Sequence, residues 1–241
     1  MKVVLFDLDG TLIRAGGAGR RALNLAVERL HGVKDACSEI SLAGRTDLAN
    51  FRSVLRGALG RPPTEAEARR IEEAYLERLP AEVRSAVRRK AYELVPGVAR
   101  LLKALGRKSG VLLGLGTGNV RPGALIKLRP SGLLRHFPFG GFGCDGYTRV
   151  SLLRAAVRRA AALSGSRIRP ERVFVIGDTE KDVRAGKAAG YRTGAVTAGF
   201  GAAAAIREAR PELIAPDFRD PRPWLRWIDG RPSGSSSRSP A

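Results

Sequence analysis

The 241-residue sequence has few of the residues that build disulfide frameworks and soft-metal sites. It contains only two cysteines, Cys37 and Cys144, and two histidines, His31 and His136. A disulfide framework or a cysteine-based zinc site requires more cysteines at regular spacing, so both are excluded. Neither histidine has a suitably spaced ligand partner, and we expect both to be structural or exposed.

Long apolar stretches are also missing. No uninterrupted apolar run reaches the roughly 18 residues that a membrane span needs. The short N-terminal run is soon broken by Asp7 and Asp9, which does not fit a secretory signal. We therefore predict a cytoplasmic protein without membrane contact. Apolar residues still make up 44% of the chain, which excludes a disordered basic tail protein.

Negative charge is scarce. The chain has 43 Lys and Arg residues against 23 Asp and Glu residues, a formal net charge of +20. Such a charge could favour a polyanionic partner. However, the cations are dispersed over helix-like stretches, as is typical of solvated surfaces, and no RNA-recognition, zinc-finger or KH signature occurs. Nucleic-acid contact is expected to be at most non-specific, and a basic nucleic-acid-binding protein remains an alternative hypothesis.

Strand and helix patterns alternate along most of the chain. Short apolar runs typical of buried parallel strands occur at 2–6, 110–115, 172–176 and 192–196. Apolar residues at helical spacing lie between and after these runs. The alternation predicts an α/β fold, in which a parallel sheet carries helices on both faces.

Residues 14–91 interrupt this alternation with helical patterns only. Thr64 and Glu67 form a capping-box pattern that predicts a helix start within this block. We therefore predict a core of residues 1–13 and 92–228 and an inserted helical cap of residues 14–91. The low-complexity segment 229–241 is predicted to be a disordered tail.

Polar clusters follow three of the predicted strands. They comprise Asp7, Asp9, Thr117, Gly118, Asn119, Asp178 and Asp182. Because ligands of parallel sheets bind outside the carboxyl ends of strands, the clusters should converge on one crevice. Four carboxylates in a crevice repel one another unless a cation offsets them, and an all-oxygen set suits Mg²⁺. A single Asp could merely cap a helix, but three clusters favour a catalytic site.

The motifs Asp7-x-Asp9-Gly10-Thr11, Thr117-Gly118-Asn119 and Gly177-Asp178-Thr179-x-x-Asp182 resemble motifs I, II and IV of the haloacid dehalogenase-like (HAD) hydrolase superfamily. The helical insertion resembles the C1-type cap of the phosphoglycolate-phosphatase-like branch, and Gly44-Arg45-Thr46-Asp47 is similar to a short cap motif of that branch. The resemblance covers residues 2 to about 200. It implies a Rossmann-like core and a Mg²⁺-dependent phosphatase that acts on a small phosphorylated metabolite.

The resemblance also implies roles for individual residues. Asp7 would be the nucleophile that forms an aspartyl-phosphate, and Asp9 the general acid and later the base. Asp7 and Asp178 would bind the metal by their side chains, Asp9 by its carbonyl, and Asp182 would support the metal from nearby. The other implied roles are phosphoryl binding by Thr117 and Gly118, orientation of the loop or substrate by Asn119, and substrate contact by Arg45.

The cation of motif III is the weakest part of the resemblance. The segment ahead of motif IV that often carries a Lys-Pro pair has no lysine here. Lys127, which lies between Ile126 and Leu128, is the first candidate for a cation that offsets Asp7 and the transferred phosphate. Arg149 is the second.

The choice among reactions rests on Asp9. Dehalogenases need no acid two residues after the nucleophile, so Asp9 favours phosphoryl transfer over carbon–halogen cleavage. A phosphomutase of the same branch remains an alternative, although it would need acid–base residues in the cap that the sequence does not identify. Phosphoglycolate is the first substrate hypothesis by analogy, sugar phosphates and nucleotides stay open, and the oligomeric state cannot be predicted.

Overall fold

The computed structural model describes residues 1–146 and 148–230 and contains a six-stranded sheet. All neighbouring strands are parallel. In spatial order the strands are β5 (Phe139–Gly141), β4 (Val111–Gly116), β1 (Lys2–Phe6), β6 (Val173–Gly177), β7 (Arg192–Val196) and β8 (Leu213–Ala215). The predicted α/β fold with a parallel sheet is confirmed, and the edge strands β5 and β8 are additions that the sequence patterns did not predict.

Helices cover both faces of the sheet. They are α4 (Val98–Gly106), α5 (Arg121–Leu128), α6 (Arg149–Ser164), α7 (Glu180–Ala188), α8 (Ala203–Glu208) and α9 (Arg222–Asp229). Alternate residues of β1 point to opposite faces: Val3 and Leu5 share a buried cluster with α6, whereas Val4 and Phe6 share one with α4 and α9. Burial on both faces explains why the central strands are continuous apolar runs.

The cap consists of three helices, α1 (Ala18–His31), α2 (Asp47–Leu59) and α3 (Glu65–Arg88). The predicted capping box starts α3, since Thr64 Oγ1 accepts from Glu67 N at 3.2 Å and Thr64 N donates to Glu67 Oε2 at 2.7 Å. The short strands β2 (Ile13–Arg14) and β3 (Glu93–Leu94) pair antiparallel at the two points where the chain enters and leaves the helices. The two connections are therefore held side by side.

The C-terminal helix α9 ends at Asp229, the first residue of the predicted tail. Residues 231–241 of that tail lie outside the described residues. In the described part of the chain, none of the helices is long and apolar enough to cross a membrane.

Candidate active site

The three predicted polar clusters meet at one edge of the sheet. Phe6 at the end of β1 is in register with Leu115 of β4 and with Ile176 of β6. Asp7 directly follows β1, while Thr117 and Asp178 directly follow β4 and β6. The register therefore brings these side chains to the same level, as expected for carboxyl ends of parallel strands.

Asp7 is buried in an electrostatically crowded position. Arg149 approaches it, with Nη2 at 3.4 Å from Asp7 Oδ1. Burial and the neighbouring Asp182 raise the pKa of Asp7 to about 7, although Arg149 opposes the increase. A carboxylate with this pKa needs additional positive charge to stay ionised near neutral pH.

Asp178 faces the same cluster and is itself almost fully buried. Its Oδ1 accepts from Thr11 Oγ1 at 3.3 Å, and its Oδ2 accepts from the Phe200 backbone N–H at 2.6 Å. Burial, followed by the charges of Asp7 and Asp182, raises the pKa of Asp178 well above its ordinary range. The hydrogen bonds from Thr11 and Phe200 thus offset only part of the increase in the pKa of Asp178.

The cluster of Asp7, Asp178 and Asp182 can hold a divalent metal ion. Carboxylate oxygens from all three lie within 4.8 Å of one another, and all three residues are buried. Both oxygens of Asp182 already have partners, because Oδ1 pairs with Arg149 and Oδ2 accepts from Thr179 N and Oγ1. The chemistry of this donor set, all oxygen and negatively charged, suits a hard cation. All three residues are therefore candidates to hold the ion, and Arg149 and Thr179 fix the orientation of Asp182.

The side chain of Asp9 lies outside this cluster and joins a second polar group. Asp9 Oδ2 accepts from Lys127 Nζ at 2.7 Å and from Asn119 Nδ2 at 2.9 Å. Lys127 also donates to Asn119 Oδ1 at 2.7 Å, and Asn119 Nδ2 reaches Thr117 Oγ1 at 2.9 Å. These bonds fix the orientation of Asp9 relative to the loop after β4.

Lys127 and Arg149, the two candidates for the motif III cation, serve different carboxylates. Burial alone would lower the pKa of Lys127, but Asp9, Tyr75 and Asp47 raise it above its ordinary value. The Arg149 side chain is 10% exposed and contacts Asp7 and Asp182. The cation in contact with Asp7 is therefore Arg149, whereas Lys127, the first candidate from the sequence, is paired with Asp9.

The cap closes directly over the loop after β4. Asp47 N donates to Gly118 O at 2.7 Å, and Val120 N donates to Asp47 Oδ2 at 2.9 Å. A Cβ atom on Gly118 would lie 2.4 Å from the backbone oxygen of Arg45, so only glycine permits this approach. The Arg45 side chain bonds within the cap, with Nη2 donating to Ser53 Oγ at 2.6 Å.

A cavity of about 300 Å³ lies between the cap and the edge of the sheet. This volume is at the lower end of the range for small-molecule sites. All the sequence-predicted site residues except Asp182 line it: Asp7, Asp9, Arg45, Thr117, Gly118, Asn119, Lys127 and Asp178. Asp182 lies behind Arg149, which also lines the cavity.

Several further residues that line the cavity received no role from the sequence. They include Asp47, Asn50 and Tyr75 of the cap and Phe200 of the loop after β7. Asp47 is buried, and burial raises its pKa to about 6 although Lys127 opposes this. The only sequence signal for it was its position in the Gly44–Asp47 motif. Phe200 lies between two glycines, and only the fold shows that it is next to Asp178.

Comparisons with known proteins identify relatives of this chain. A model of haloacid dehalogenase-like hydrolases matches residues 1–190. The phosphoglycolate phosphatase of Salmonella typhimurium strain LT2 is 26% identical in an alignment of 245 residues, gaps included. The alignment covers 92% of this chain and 91% of the relative.

Two solved structures show the same architecture. A hydrolase from Pseudomonas syringae superposes with a TM-score of 0.68 at 20% identity, covering 95% of this chain and 99% of that one. CbbY from Rhodobacter sphaeroides in complex with phosphate superposes with a TM-score of 0.64 at 23% identity, covering 91% and 96%. At these identities the likeness to both structures is one of fold.

Proposed function

Because this chain belongs to the haloacid dehalogenase-like hydrolase family, we propose that it hydrolyses a small phosphate monoester through an aspartyl-phosphate, with Mg²⁺ as the metal. The observation that carries the proposal is the pair Asp7 and Asp9. They stand two residues apart and both line the cavity, yet one joins the carboxylate cluster and the other is held by Lys127 and Asn119. Two carboxylates in different surroundings can act as nucleophile and as acid–base group.

In the first step, a carboxylate oxygen of Asp7 attacks phosphorus. The bond between phosphorus and the ester oxygen breaks, and its electron pair goes to the departing oxygen. Asp9, which enters this step as the carboxylic acid, supplies the proton that this oxygen takes up. Lys127 and Asn119 orient Asp9 toward the cavity for this transfer. Arg149, which contacts Asp7, offsets the negative charge of the nucleophile and of the transferred group.

In the second step, water attacks the phosphorus of the aspartyl-phosphate. Asp9 takes a proton from the water, and the bond between phosphorus and the Asp7 oxygen breaks, so that Asp7 is regenerated as a carboxylate and phosphate is released. Thr117 and the Gly118 backbone would bind the phosphoryl oxygens during both steps. Asp7 and Asp178 would hold Mg²⁺, which supplies positive charge against the phosphoryl oxygens.

The substrate class follows from the size of the cavity and from the relatives. A cavity of about 300 Å³ accommodates a small metabolite better than a polymer. Phosphoglycolate phosphatases are among the relatives that match most of this chain. We therefore place phosphoglycolate first and small sugar phosphates second, with Arg45 as the cap residue that contacts the leaving group.

The test is a phosphate-release screen over a panel of phosphorylated metabolites with Mg²⁺. We expect release from at least one small monoester, and a loss of about 10³-fold or more in Asp7→Asn. Asp220→Asn is the matched control, because Asp220 pairs with the exposed Arg222 in the C-terminal region of the chain.

Three results would contradict the proposal. An unaltered protein that is inert toward every member of the panel removes the hydrolytic function. Formation of an isomeric sugar phosphate without phosphate release favours the mutase alternative. Salt-dependent DNA retention without phosphate release favours the nucleic-acid alternative.

A further inference from the structure

A second depression, of about 340 Å³, lies at the seam between cap and core. On the cap side it is lined by residues 44–46 and by Ala49. On the core side it is lined by Arg149, Lys181 and Arg184. The depression shares Gly44, Arg45 and Arg149 with the wall of the catalytic cavity, and its other four lining residues do not line that cavity.

The charged side chains that line this depression are all positive. Four of its lining residues are basic, namely Arg45, Arg149, Lys181 and Arg184, and none is acidic among the residues that the structure describes. Such a concentration of like charge is unfavourable unless anions offset it.

Of these four, only Arg149 has carboxylate partners in the described part of the chain, Asp7 and Asp182. Arg45 and Lys181 instead donate to uncharged acceptors: Arg45 to Ser53 Oγ at 2.6 Å, and Lys181 Nζ to Ala43 O at 2.8 Å. These bonds hold the two side chains in place without cancelling their charge.

Arg184 is exposed and forms no ion pair with any described residue. Three positive charges around one depression thus lack a carboxylate partner in the described chain. A guanidinium that is free at the rim of a concave site can form charge-assisted hydrogen bonds with an oxyanion.

The backbone adds positive potential at the same place. Helices α2, α6 and α7 begin at Asp47, Arg149 and Glu180, and residues at or beside these starts line the depression. The N-terminal end of a helix carries a partial positive charge. The first turn of α6 holds no acidic residue, so α6 reinforces the field of the side chains, whereas acidic residues in the first turns of α2 and α7 offset theirs.

We propose that this depression, at the seam between cap and core, is a second binding site that takes a phosphate-class oxyanion. Because cap and core both contribute side chains, a bound anion favours the closed arrangement over an open one. The oxyanion is either a free ion or a second anionic group carried by the substrate. The site does not depend on the hydrolytic activity.

The experiment titrates inorganic phosphate at constant ionic strength into the unaltered protein, Arg184→Gln and Arg158→Gln, followed by calorimetry. Arg158 is the matched control, because it is an exposed arginine of α6 outside the depression. We expect Arg184→Gln to bind one equivalent fewer, or to bind it about tenfold or more weakly. Unchanged binding in Arg184→Gln, or the same loss in Arg158→Gln, overturns the proposal. Because the comparison is a difference in binding, it holds even if no substrate is hydrolysed.

A second arm separates the two sources of the anion. It compares KM for a substrate with one phosphoryl group and for a bisphosphate in the unaltered and Arg184→Gln proteins. Loss of phosphate binding together with a raised KM for the bisphosphate alone assigns the site to the substrate's second group. Loss of phosphate binding with both KM values unchanged assigns it to a free ion. Both results support the site.

Discussion

Asp7 and Asp9 show how two neighbouring carboxylates acquire different surroundings. Asp7 faces Arg149 and two further buried carboxylates, and its pKa is raised to about 7. The Asp9 side chain is partly exposed and bonds to Lys127 and Asn119. Both residues lie in the loop after β1, so the alternation of side chains along a strand does not explain why their surroundings differ. The difference comes from the neighbouring strands and helices.

The raised pKa values of Asp7 and Asp178 predict how metal binding depends on pH. Without metal, the unfolded chain releases these protons near pH 4, whereas the folded protein keeps that of Asp7 until about pH 7. The metal-free protein therefore loses stability as pH rises from about 4 to about 7. We expect the gain in Tm from Mg²⁺ to be larger at pH 8 than at pH 5, measured by thermal unfolding at matched ionic strength.

The control for this effect is Asp178→Asn, which removes one of the repelling charges. It should raise the Tm of the metal-free protein at pH 8 and abolish most of the gain from Mg²⁺. An equal gain from Mg²⁺ at pH 5 and pH 8 in the unaltered protein would show that the cluster does not titrate as described.

At the scale of elements, the composition of β5 explains why the sequence patterns did not predict this strand. Its residues are Phe139-Gly140-Gly141, too short and too rich in glycine for an apolar run. The glycines serve packing, because a Cβ on Gly141 would lie 1.8 Å from the backbone oxygen of Leu152 in α6. Close contact between β5 and α6 thus requires a residue without a side chain, and such a residue gives no strand signal.

Gly141→Ala should therefore destabilise the protein strongly. We expect a loss of about 2–4 kcal/mol in the free energy of unfolding, since backbone in α6 must move. Gly57 of α2 is the matched control: a Cβ there has no described neighbour within 4 Å, and Gly57→Ala should be neutral or stabilise by up to about 1 kcal/mol. Urea unfolding at 25 °C measures both, and similar values for the two variants would contradict the packing of β5.

At the scale of the whole molecule, Asp47 connects the cap to the loop that carries Thr117 and Gly118. It donates its backbone N–H to Gly118 and accepts from the Val120 N–H. The cap thereby contacts the proposed phosphate-binding loop directly, so that closing the cavity and ordering the loop are coupled. Closure of this kind excludes bulk water from the reaction.

Removal of the Asp47 side chain should loosen this connection. In Asp47→Ala the Val120 N–H loses its acceptor, and a buried unpaired donor costs about 1–3 kcal/mol. We expect faster hydrogen exchange at Val120 and a fall of about tenfold in kcat/KM. Asp47→Asn keeps an acceptor oxygen at that position and should restore slow exchange. If Asp47→Ala exchanges at Val120 as slowly as the unaltered protein, the cap is held closed by other contacts.

The fold also determines how the charges behind the net charge of +20 are distributed. The sequence shows cations spread over the chain, and the fold pairs many of them with carboxylates at the surface, as for Arg29 with Glu77 and Arg192 with Glu212. Exposed pairs of this kind contribute little to stability. The fold brings Arg45, Lys181 and Arg184 together around a depression instead, although Arg45 is far from the other two in the sequence.

Local patterns determined the elements that depend on neighbours in the chain: the buried central strands, the capping box at Thr64, and the carboxylates placed directly after β1 and β6. Strand ends converge in any parallel sheet, so the strand patterns alone were enough to group the site residues Asp7, Thr117 and Asp178. Tertiary structure alone decided which cation faces which carboxylate, why β5 requires glycine and how Asp47 reaches Val120. These features depend on distances between segments remote in sequence, which packing sets and local patterns do not encode.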